Sequence, residues 1–159
     1  MTDRAALARS RARRWRAPAL LAVWALLAVE AVGGLVIFAA RLAFGTTPGE
    51  TLHVIAGLAL TVAYVVYQWR HWLRVRPFLP RLDYALGLFS ASFMALSLLT
   101  GLALGVVWWR DRASGTGAVR YPTVLSATHL IGSMLVLTFI GAHIGAVLLR
   151  TRKLNRKGT

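Results

Sequence analysis

The chain has 159 residues, of which 57% are hydrophobic and only 15% charged, which excludes an ordinary water-soluble domain of this length. Its net charge of +14 raises nucleic acid as a partner, but the cations are gathered at the ends of long apolar segments rather than spread over a surface. Cysteine is absent, which excludes disulfides, iron–sulfur ligation, thiolate-bound metal and covalent c-type haem.

Residues 1–16 carry Arg4, Arg9, Arg11, Arg13, Arg14 and Arg16 and are expected to form a basic arm on a membrane surface, amphipathic or disordered. The first apolar segment is Ala17–Ala40, with Pro18 suited to a first helical turn. Basic residues before an apolar run resemble a signal peptide, and Ala28-Val29-Glu30-Ala31 loosely resembles a cleavage site. The apolar run continues past that point, so an uncleaved membrane helix is the expectation. Gly45-Thr46-Thr47-Pro48-Gly49 reads as a tight turn.

The second segment is Leu52–Trp69. A helix is expected to start near Glu50, whose carboxylate suits a helix N-terminus, and to end around Trp72, before Pro77 and Pro80. The third segment, Tyr84–Trp109, closes on the interface tryptophans Trp108 and Trp109. Asp111–Arg120 is expected as the longest loop, with Ser114-Gly115-Thr116-Gly117 at its tip. Pro122 opens the fourth segment, Tyr121–Leu149, whose helix is expected to run out at Arg150. Each segment approaches or exceeds the ~20 residues needed to cross a bilayer as a helix.

A four-pass path places fifteen of the 19 Lys and Arg residues on one side: the arm, then Arg70, Arg74, Arg76 and Arg81, then Arg150, Arg152, Lys153, Arg156 and Lys157. Arg41, Arg110, Arg112 and Arg120 fall on the other side, offset by Glu50 and Asp111. The positive-inside rule then places both termini in the cytoplasm. The expected fold is all-α: an integral membrane four-helix bundle, up-down-up-down. It divides into a basic arm (1–16), a transmembrane domain (17–150) and a basic tail (151–159). Membrane lipids with anionic headgroups are the expected partners of this charge, and nucleic acid is not.

The four histidines fall on two segments. His53 and His71 are 18 residues apart on the second, and His129 and His143 are 14 apart on the fourth. At ~100° per residue, each spacing returns the second ring to nearly the same helix face. Ionisable residues inside a membrane are usually functional, and an imidazole in hydrocarbon needs a partner. A flat metal cofactor is a good one: two neutral imidazoles bind haem iron from opposite faces and leave no position for substrate, which suits electron transfer. His53 and His129 form the expected outer pair, and Gly57 and Gly132, one turn away, would give a porphyrin room. Gly33, Gly34, Gly101 and Gly105 offer similar clearance, although small residues also serve ordinary membrane-helix packing.

The inner pair is less even. His143, between Gly141 and Gly145, is a candidate ligand, but the residue level with it is Tyr67, and His71 lies four residues further on. Tilt and stagger share that offset, or the inner haem is missing, or His71 ligates from an unusual height, or it snorkels at the interface within Trp69-Arg70-His71-Trp72.

His129 and His143 with thirteen residues between them, the His53-x-x-x-Gly57 start of the second segment and its Trp-Arg-His-Trp ending resemble the bacterial four-helix membrane cytochromes b. That group includes b561-type cytochromes and the haem-bearing subunits of hydrogenases and formate dehydrogenases. The resemblance spans all four segments and implies two b-type haems, one near each membrane face, with electron exchange with quinone. Tyr67, standing where a 14-residue spacing would put a histidine, departs from it at the inner site.

Glu30 is the one acidic residue near mid-membrane, a candidate proton relay beside two alternatives: a hydrogen bond to a histidine or haem propionate, or a protonated carboxyl bonded to a neighbouring helix. Arg41, Arg70, Arg110 and Arg120 are candidates to pair with haem propionates or to anchor at the interface. Trp24, Trp69, Trp72, Trp108 and Trp109 read as belts or packing. The functional expectation is a membrane electron-transfer subunit working between quinone and a partner protein in a larger redox complex. Its rivals are a histidine-based transition-metal transporter or sensor, for which Met94 and Met134 are the only further soft ligands near midplane, and a haem-free membrane scaffold.

Overall fold

The computed structural model describes residues 18–73, 82–115 and 120–156, with the side chains of 83 and 150–156 left aside. The basic arm, the cations Arg74, Arg76 and Arg81, Pro77, Pro80, and the end of the tail lie outside the described residues. All regular structure among the described residues is helical: α1 (Pro18–Phe44), α2 (Glu50–Trp72), α3 (Leu82–Ser114) and α4 (Thr123–Arg156). All four are long and apolar enough to cross a membrane.

The helix ends follow from local chemistry. Pro18 opens α1, where its missing N–H costs nothing. Gly45, at φ 69°, leaves the helix in the left-handed region and returns its N–H to the Arg41 carbonyl at 3.1 Å. Gly49, at φ 76°, turns the chain into α2, and His53 N–H donates to its carbonyl at 3.0 Å. Glu50 sits in the first turn of α2.

Two boundaries differ from the sequence expectation. Asp111–Ser114 is not loop but the last turn of α3, because nothing before Gly115 breaks a helix. Gly115, at φ 70°, ends it with its N–H on the Asp111 carbonyl at 3.1 Å. The Arg112 guanidinium also lies 5.1 Å from the centre of the Trp108 ring, one turn back. Likewise α4 continues past Arg150 to Arg156, for that stretch holds neither glycine nor proline and cations suit a helix C-terminus.

The chain forms two compact units, residues Met1–Val75 and Arg76–Thr159. In the first, α1 and α2 run antiparallel: Gly34 lies against His53, and Glu30 against Gly57. Val23 and Leu27 on α1 and Ala56 and Leu60 on α2 are its buried apolar residues. In the second, α3 and α4 are antiparallel in a strict register. Gly87 faces His143, Phe89 and Phe93 stack on Phe139, the Ser97 and Ser133 hydroxyls bond at 2.7 Å, and Gly101 faces His129. Gly87, Met94, Gly101 and Trp108 recur every seven residues along α3, the period of a coiled-coil seam. Met94 (3% exposed) falls level with Val136 (2%) on α4.

Outside these seams the helices present bare hydrocarbon, with Val32, Leu35, Leu52, Leu99 and Ile131 all more than half exposed. Such surface is unsustainable in water but costs nothing among lipid tails, where close packing and interhelical polar contacts hold helices together.

Candidate functional site

Three of the four histidines enter a helix seam, and each enters opposite a glycine. A Cβ built on Gly101 would stand 3.0 Å from His129 Cε1, and one on Gly87 would stand 3.1 Å from His143 Cε1. A Cβ on Gly34 would stand 3.3 Å from His53 Cε1, and one on Gly33 would stand 3.7 Å from His53 Nδ1. An imidazole is bulky for the closest line between two helices. Removing the opposite side chain admits it without prising the helices apart. His129 and His143 are 14 residues apart, and so are their glycines, so the second unit repeats one arrangement about 21 Å along its axis.

His129 is held in a defined state. Its Nδ1 lies 3.0 Å from the Ser97 carbonyl oxygen and 3.1 Å from Thr100 Oγ1. A carbonyl only accepts, so Nδ1 carries the hydrogen and donates it. The Thr100 hydroxyl donates to the Leu96 carbonyl at 2.8 Å, and its oxygen is left to accept from the ring. In a neutral ring that places the lone pair on Nε2, the atom a metal would use. Histidine ligands commonly donate their other N–H to a carbonyl in this way.

His53 is held differently. Its Nδ1 approaches Glu30 Oε2 to 3.1 Å, an ion-pair approach rather than an aligned hydrogen bond. The Glu30 side chain is 13% exposed, and Gly57 makes room for it, since a Cβ there would stand 3.2 Å from Oε2. Glu30 thus meets a histidine of the neighbouring helix.

The remaining candidates are placed as follows. Gly57 adjoins the Glu30 carboxylate, and Gly132 packs on Leu96 and Ser97 at 3.7–3.9 Å. Gly141 and Gly145 face open space. The Tyr67 and His71 rings stack on each other, 5.7 Å between centres and 21° between planes. They are one turn apart on α2 and both half-buried. Arg41, Arg70, Arg110 and Arg120 are exposed. Trp69, Trp72 and Trp109 are exposed as interface residues would be, whereas Trp108 is buried. Among the described residues no three His, Cys, Asp or Glu side chains converge as a bare metal ion would need.

Sequence reading missed Gly87, Ser97 and Thr100. The signal for Gly87 was available, since it precedes Gly101 by the interval that separates the two histidines. The other two act through a carbonyl and a back-bonded hydroxyl, which leave no mark in a motif.

The residues present fit haem. They supply imidazoles at helix seams, a ring hydrogen held on Nδ1 at His129, no competing thiolate, and an apolar surround. Comparison with protein-family models, curated proteins and solved structures gives no match to this chain.

Proposed function

We propose that the chain is a b-type cytochrome subunit of a bacterial inner-membrane redox complex, passing electrons between the quinone pool and a partner protein. The observation that carries this reading is the pairing of seam histidines with glycines, together with the Nδ1–H of His129 committed to the Ser97 carbonyl. Helix packing alone has no use for an imidazole opposite a glycine, nor for fixing which nitrogen keeps the lone pair.

In this reading His129, His53 and His143 would hold haem, His53 with His129 as the sequence spacing suggests, and His71 is the remaining candidate for the inner site. When bound, haem would supply a one-electron couple at iron. The chain's own residues do the rest. Ser97 and Thr100 hold the His129 ring against rotation, the glycines let the rings reach the seam, and the apolar helices exclude water. The four-helix bundle is up-down-up-down with both termini cytoplasmic, in keeping with the distribution of arginines.

A reduced-minus-oxidised absorbance spectrum of the purified protein tests the reading. Sharp b-type bands are expected. A featureless spectrum from protein expressed with ample haem would leave the metal-transport and scaffold readings instead.

A further inference from the structure

His129 and His53 are not held alike. His129 donates to a neutral backbone carbonyl, whereas His53 stands against a carboxylate. An acidic side chain deep in an apolar segment is expensive, and a hydroxyl or amide would serve helix packing at lower cost. The surroundings nonetheless accommodate it. Gly57 is open where any Cβ would crowd Oε2, and Gly33 and Gly34 lie against the Nδ1 and Cε1 atoms of the His53 ring. Glu30 Oε1 is buried and has no hydrogen-bond partner among the described residues. A buried carboxylate oxygen left so is costly unless positive charge lies nearby. Iron on the far side of the imidazole would provide that charge.

We propose that Glu30 is a positioning residue for His53: its carboxylate keeps the ring hydrogen on Nδ1, leaves Nε2 as the ligating nitrogen, and makes this imidazole a stronger donor than His129. The inference rests on the haem reading above. A carboxylate behind a histidine ligand raises its basicity, and the added negative charge favours ferric over ferrous iron. The haem ligated by His53 therefore has the lower reduction potential that a carbonyl-backed pair would lack. Glu30 touches neither iron nor substrate and acts through His53 alone.

Spectroelectrochemical titration of the purified full chain tests this. Glu30→Gln, close in shape and uncharged, is expected to keep its haem content and b-type bands. One of its midpoints should rise, favouring the ferrous form about tenfold, which is about 59 mV for one electron. Glu30→Asp keeps the charge and should stay nearer the wild type. Gly57→Ala, which crowds the carboxylate, should shift the same midpoint upward and carries the test if Glu30→Gln does not fold. Haem-loaded Glu30→Gln and Gly57→Ala with every midpoint unmoved would overturn the inference and leave the cytochrome reading standing. So would a His53→Ala variant with undiminished haem. A wild-type protein with no haem at all would remove both.

Discussion

At the scale of single residues, the glycines opposite the histidines make a sharp distinction between similar substitutions. Alanine is the better helix former by about 1 kcal/mol, so Gly→Ala within α3 or α4 should not weaken either helix itself. Gly101→Ala nonetheless puts a methyl 3.0 Å from His129 Cε1, and the ring must give by a few tenths of an ångström where the Ser97 carbonyl holds it. Gly132→Ala meets only Leu96 and Ser97 at ordinary contact distance. Gly101→Ala should therefore lose haem while keeping its helical circular dichroism, and Gly132→Ala should keep both. Equal haem in the two variants would contradict the role given to Gly101. The histidines themselves were legible in the sequence, because ionisable side chains in apolar runs stand out. Gly33, Gly34 and Gly101 were legible as candidates for clearance, but which histidine each one faces was not, because a residue on one helix is matched to a residue on the next only once the antiparallel register is known. Gly57 and Gly132 were singled out for being near a histidine in sequence, and in the structure Gly57 makes room for the Glu30 carboxylate of the neighbouring helix.

At the scale of elements, α3 and α4 hold together by a repeating seam rather than by a broad core. Aromatic stacking of Phe139 on Phe89 and Phe93, with ring centres 5.4 and 5.2 Å apart, lies between the two histidine levels. Each such pair contributes about 0.5–1.5 kcal/mol beyond area burial, so Phe139→Ala should cost the second unit about 1–3 kcal/mol. Denaturant or thermal unfolding in detergent micelles measures this, and an unchanged midpoint would show the stack to be incidental. Helix starts were readable from Pro18, Glu50 and Pro122, and the long apolar runs fixed the number of helices. The ends of α3 and α4 fall later than expected, because a helix can run past the interface tryptophans and into charged residues. Asp111 and Arg112 are compatible with a helix, and the true stop is the left-handed Gly115.

At the scale of the molecule, four helices long and apolar enough to cross a membrane support a membrane protein, and the absence of cysteine makes the proposed topology, with cytoplasmic termini, directly testable. Thr46→Cys, in the α1–α2 turn, and Ser114→Cys, at the end of α3, should react with a membrane-impermeant maleimide in intact cells. Thr159→Cys should react only after permeabilisation. The reverse pattern would invert the proposed topology.

The cytochrome reading meets its most direct test in a pyridine haemochrome assay of the purified protein beside His129→Ala. The expected result is b-type haem in the wild type and the loss of one equivalent in the variant. Haem bound in the same amount by both would contradict the assignment of His129 as a ligand, and no haem in either would contradict the function itself.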